Sequence, residues 1–129
     1  MATRNALPLH PPNTMPVIFV IVPDWKTRIA VRAELRELSI DALGMESADD
    51  VGRAIITGGL PNLVVLEATA ELLGDIRIQN LIQCVPAVLI ASRTVRVSIP
   101  DVAAVLYRPV RVAKIVACVR ELLNRDDAA

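Results

Sequence analysis

Apolar residues fall along this chain in two alternating textures. Short unbroken runs stand at Val17–Val22 (VIFVIV), Leu63–Leu66 (LVVL), Ala87–Ala91 (AVLIA) and Ala103–Tyr107 (AAVLY). None alternates apolar with polar, as a strand with one wet face would, so each is expected as a strand covered on both sides in a parallel sheet. Ile40–Met45 is a weaker strand candidate, interrupted by Asp41 and Gly44. Between the runs the spacing becomes helical. Val31, Leu35 and Leu38 recur at i, i+4 and i+7, flanked by Ile29 and Ala33. Val51, Ala54 and Ile55 form a second stripe that stops at Gly58-Gly59, with Asp49 and Asp50 near its N-terminal, dipole-positive end. A third helix is expected over Ala70–Gln83, and Val112, Ile115, Val116, Val119, Leu122 and Leu123 mark the last.

The resulting order, β-α-β-α-β-α-β-(short)-β-α, predicts an α/β fold. Right-handed crossovers place helices on both faces of a doubly wound, five-stranded parallel sheet, with the fourth helix short or missing. Residues 1–16 read as a disordered Pro-rich leader carrying Pro8, Pro11, Pro12 and Pro16, residues 17–124 as the domain, and 125–129 as a disordered tail. In such sheets sites form beyond the carboxyl ends of the strands. The residues there are Pro23 and Asp24, Glu67, Ala91 and Ser92, and Arg108 and Pro109.

Composition narrows the chemistry. A chain of 129 residues, 53% hydrophobic and only 2% aromatic, supports one aliphatic core and no second domain. Fourteen cations balance fourteen acids, which argues against direct nucleic-acid binding. No apolar run reaches the length of a membrane span, so a soluble, cytoplasmic protein is expected. Cys84 and Cys118 lie in apolar stretches and read as buried free thiols. The single histidine, His10, sits in the leader, which leaves no metal-ligand set and no histidine-based catalysis. Ser92-Arg93-Thr94-Val95-Arg96 is the one cluster of cations and hydroxyls, read here as a solvated loop.

Four segments at the strand ends resemble the receiver domain of two-component response regulators: VIFVIVPDWKTR, PNLVVLEA, PAVLIAS and AAVLYRPV, in the family's order. The resemblance implies the flavodoxin-like strand order 2-1-3-4-5 and a phosphoacceptor pocket at the carboxyl edge. It also implies that the pocket has been altered. Receivers place two acids after the first strand to hold Mg²⁺; here Pro23 takes the first position and Asp24 the second. Glu67 stands for the phosphoacceptor aspartate, Ala91 for the phosphoryl-binding hydroxyl residue, with Ser92 following, and Arg108 for the lysine before Pro109. Val105 stands at the position of the switching aromatic. A cis Arg108–Pro109 bond is expected by the same resemblance.

These departures point to a non-enzymatic pseudo-receiver, a protein-interaction module of signal transduction binding a protein partner or a second copy. Glu67, one methylene longer than aspartate, is expected to reach Arg108 in a bidentate pair, the alternative being two solvated side chains. Asp24 is expected to cap the first helix through its carboxylate, a residual metal-ligand role being the alternative. Trp25, beside the pocket, is read as packing or as an interface anchor. No cofactor is expected, and Mg²⁺ binding at most weakly. The resemblance assigns partner contact to the fifth strand and last helix, with Val102, Tyr107, Val110, Arg111, Lys114, Ala117, Cys118 and Glu121 as candidates. Two other functions remain: a receiver still phosphorylated in a phosphorelay with weak Mg²⁺, and a flavodoxin-like small-molecule binder, the latter disfavoured because PDWKTR supplies no glycine for a phosphate loop.

Overall fold

The computed structural model describes residues 15–93 and 102–128; of residues 126–128 only the backbone is described. Five parallel strands, β1 (Val17–Ile21), β2 (Asp41–Met45), β3 (Leu63–Glu67), β4 (Ala87–Ala91) and β5 (Ala104–Tyr107), form one sheet in the order β2-β1-β3-β4-β5. The helices are α1 (Trp25–Glu37), α2 (Ala48–Gly58), α3 (Ala70–Leu73), α4 (Ile76–Cys84) and α5 (Val112–Ala128).

Unbroken apolar runs serve here because successive side chains enter two different cores. Ile18, Val20 and Val22, with Leu63, Val65, Val88 and Ile90, meet Val31 and Leu35 of α1 and Ile115, Val116 and Val119 of α5. Phe19 and Ile21, with Val64, Leu66, Ala87 and Leu89, meet Val51 of α2, Leu72 of α3, and Ile78, Leu81 and Ile82 of α4. Of the described residues, no buried one is polar or charged. Ser47 caps α2 by accepting from the Asp50 N–H, and Gly59 ends it at φ 83°, a conformation a side chain would strain.

Several expectations need correction. The third helix is broken in two: α3 stops at Gly74, and Asp75 caps a new helix by accepting from the Arg77 N–H. Ile29 and Leu38 of the first stripe are exposed, because only Val31 and Leu35 point at the sheet. Strand β5 is not covered on both faces; as an edge strand it is half-buried and ends in exposed Tyr107. Cys84 is exposed, since Ile78, Leu81 and Ile82 form the inward face of α4, and Cys118 is only half-buried. The segment expected as a tail continues α5 to Ala128, aided by an i,i+4 Glu121–Arg125 pair and by Arg125 in the last turn. Most of the expected leader, and the region between β4 and β5 where the fourth helix was thought short or missing, lie outside the described residues.

The break before α4 is held by charge. Arg77 reaches both oxygens of Asp75 (Nη2–Oδ2 2.8 Å, Nε–Oδ1 3.0 Å) and extends Nη1 to Asp49 of α2 at 2.8 Å. The Arg77 side chain, with its backbone N–H, holds the Asp75 carboxyl down at about 2. A carboxyl lowered from 3.8 to about 2 stabilises the fold fully above pH 3.8 and loses that contribution as pH falls through about 2. Asp75→Asn should therefore lower Tm at neutral pH and flatten the fall of Tm between pH 3.8 and about 2, as measured by circular dichroism melts.

Candidate functional site

Strand order reverses at β1, which sits between β2 and β3, so the carboxyl edge there opens a crevice between crossovers running in opposite directions. Strand β1 delivers Pro23 and Asp24 to this edge. The Val22 N–H still donates to Met45 O at 3.0 Å; Pro23, lacking an N–H, ends the ladder. Asp24 then occupies the N-cap position of α1 with extended backbone. Its position is that of a cap, but its carboxylate makes no capping bond to the helix backbone; Oδ2 instead accepts from the Thr27 hydroxyl at 2.6 Å. The expected cap is thus replaced by a side-chain donor one turn on. That hydroxyl, chiefly, lowers the Asp24 carboxyl below its ordinary range, with the positive charge of Arg108 adding to it.

Glu67, the last residue of β3, and Arg108, just past β5, are brought together. Glu67 Oε2 lies 3.4 Å from Arg108 Nη2, and Oε1 faces the Asp24 N–H at 3.5 Å. The contact is not the bidentate pair expected. Glu67 divides its two oxygens between different partners, and Arg108 Nη2 is buried with no hydrogen bond, so charge alone joins it to Glu67. Arg108 is aimed by its backbone: its N–H donates to Ala91 O at 2.8 Å, and the Arg108–Pro109 peptide is cis, as expected. Ala91 closes β4 fully buried, and Ser92 beyond it is exposed. Val105 is half-buried and packs with the Phe19 and Leu89 core; a β-branched side chain there has little rotamer freedom.

Two residues of this edge were not anticipated from the sequence. Arg28 of α1 turns back over the end of β1, its Nη1 donating to Val22 O at 2.7 Å and Pro23 O at 3.3 Å. The same nitrogen lies 3.8 Å from Glu46 Oε2, at the end of β2. The signal was Gly44. A Cβ there would stand 3.2 Å from Arg28 Cδ and 2.8 Å from Arg32 Cδ, so the glycine in β2 marks where two arginine stems cross the strand.

Mg²⁺ requires near-octahedral oxygen ligation, usually with several waters kept. Among the described residues no group of three or more His, Cys, Asp or Glu side chains is placed to hold a metal. The carboxylates nearest the crevice already face internal donors, Asp24 the Thr27 hydroxyl and Glu67 the Arg108 guanidinium. The residues present do not fit the ion.

Beside the edge, β5 and the start of α5 border an open groove of about 680 Å³. Val105, Leu106, Pro109 and Val110 give it apolar walls, Tyr107 is 45% exposed, and Arg93, Arg111 and Lys114 are its charged residues. Of the other candidates for partner contact, Ala117 and Glu121 are exposed, while Val102 and Cys118 are half-buried against the cores. Trp25 is 57% exposed, with the Lys26 ammonium 5.9 Å from its ring. Thr94, Val95 and Arg96 of the hydroxyl and cation cluster lie outside the described residues. No described helix is long and apolar enough to cross a membrane.

No family model and no curated protein matches this sequence. Solved structures do. A response regulator receiver protein from Burkholderia phymatum superposes with TM-score 0.68 at 20% identity, over 84% of this chain and 95% of that one. A CheY-like response regulator receiver domain protein from Methanospirillum hungatei gives 0.68 at 13% identity, over 89% and 98%. The N-terminal domain of a three-domain response regulator/sensory box/GGDEF protein from Carboxydothermus hydrogenoformans gives 0.66 at 11%, over 87% and 97%. The chain therefore has the fold of response-regulator receiver domains, with β2-β1-β3-β4-β5 as its strand order.

Proposed function

We propose that this chain is a pseudo-receiver: a protein-interaction module of two-component-type signalling that works without phosphorylation. The observation that carries the reading is the state of Glu67. Its two carboxylate oxygens face the Asp24 amide and the Arg108 guanidinium, at 3.5 Å and 3.4 Å. A carboxylate that is to attack phosphorus needs an oxygen free for in-line approach and cations to neutralise the incoming phosphoryl group. Here the nucleophile is one methylene out of place, a proline stands where the first acid would be, and the guanidinium is already drawn to the acid. The conformation that phosphate would induce by pulling a basic residue across the crevice is supplied by the sequence.

What remains usable is a surface. The groove beside β5 pairs apolar walls with Arg93, Arg111 and Lys114 and no acid, which suits a partner segment carrying carboxylates around an apolar anchor. A symmetric dimer through the same groove would set these cations near their own copies, so a different protein is the better occupant.

Incubation with acetyl phosphate and MgCl₂ followed by intact-mass spectrometry should show no phosphate adduct. An adduct on the unaltered chain, absent in Glu67→Gln, would instead establish a working receiver. Because the Glu67–Arg108 contact is partly exposed, Arg108→Ala should cost only about 0–1 kcal/mol in urea denaturation while changing partner affinity.

A further inference from the structure

We infer that two guanidinium groups, Arg28 and Arg108, stand in for a divalent cation at the carboxyl edge, making its structure independent of metal. The inference rests on reading this edge as a degenerate receiver pocket, and it adds what holds that edge together. Three carboxylates, Asp24, Glu46 and Glu67, gather around the ends of β1, β2 and β3 together with the carbonyls of Val22 and Pro23, which no strand neighbour satisfies. That is an oxygen-rich rim, and oxygen-rich rims of net negative charge attract hard cations. Each of these oxygen groups is instead met by a donor from the chain itself. Arg28 takes both carbonyls and approaches Glu46; Arg108 approaches Glu67; the Thr27 hydroxyl takes Asp24.

Arg28 is suited to the task in a way lysine would not be. Its side chain is only 18% exposed, and one nitrogen is shared between two carbonyls at 2.7 Å and 3.3 Å and a carboxylate at 3.8 Å. A planar, weakly hydrated cation tolerates such burial better than an ammonium. Gly44 keeps its path open, since a Cβ would meet the Arg28 stem at 3.2 Å. Arg32, which crosses the same glycine, sends its Nε to Ala42 O at 3.1 Å, within the strand and away from its carboxyl end. It is a natural control.

The experiment is thermal melting with MgCl₂ against NaCl of equal ionic strength. Wild-type protein should show the same Tm in both salts. Arg28→Met with Arg108→Met leaves the three carboxylates without their guanidiniums. It should melt lower and be raised by roughly 4–7 °C at a tenfold excess of Mg²⁺ over its Kd. Arg32→Met should melt lower without gaining a Mg²⁺ response. Should the double variant fail to fold, Arg108→Met alone should gain a smaller response. A specific Mg²⁺ shift in wild type would overturn the inference, as would indifference to Mg²⁺ in folded variants lacking Arg108. Phosphate uptake by the unaltered chain would remove the pseudo-receiver reading itself; a wild-type Mg²⁺ shift without phosphate uptake would remove only this inference.

Discussion

The structure depends on β1 being paired in parallel on both sides, with β2 along one edge and β3 along the other. Parallel pairing makes all three strands finish on the same rim, and register decides what meets there: Ile21 lies opposite Met45 and Leu66, so the next residues of each strand share one small volume. Glu46, Glu67 and the Val22-Pro23-Asp24 turn are neighbours because the ladder makes them so. Any chain with this topology must find positive charge or donors for that rim. A receiver has a metal ion for it; this chain has arginine.

That difference changes what the rim can do. A bound ion can leave, and a phosphoryl group can arrive, so a metal site is reversible by construction. A guanidinium anchored through its own helix is a permanent occupant. Arg28 ties α1 to the ends of β1 and β2, and Arg108 ties the turn after β5 to the end of β3. The rim is thereby joined on both sides of the reversal in strand order by groups that do not titrate near neutrality. Conformational constancy is a coherent property for a module that presents a surface and does not relay a chemical signal.

Much of this was legible in the residues. Doubly buried runs such as VIFVIV and AVLIA fixed a parallel sheet, because an unalternating strand has no wet face to offer. The convergence of Glu67 with Arg108 followed from the same topology. Other features were opaque for physical reasons. The break at Gly74-Asp75 arises from a side-chain network, Asp75–Arg77–Asp49, which no apolar period encodes. Asp24 kept the position of a cap yet chose a hydroxyl over the helix amides, a competition between two donors a few ångströms apart. Arg28 was invisible because its partners are backbone carbonyls, which every residue carries; only the glycine opposite it left a trace. Cys84 misled because apolar neighbours in sequence do not share a face on a helix.

Arg32 carries a further consequence. By donating to the carbonyl of Ala42, it occupies a main-chain acceptor on the outer margin of β2, and its stem lies over Gly44. A margin so covered cannot template another strand, from this chain or any other. Open-ended sheet growth from chain to chain needs two free margins, and here one is sealed by a charged side chain. Crowded assembly through other surfaces is thus separated from runaway fibre formation.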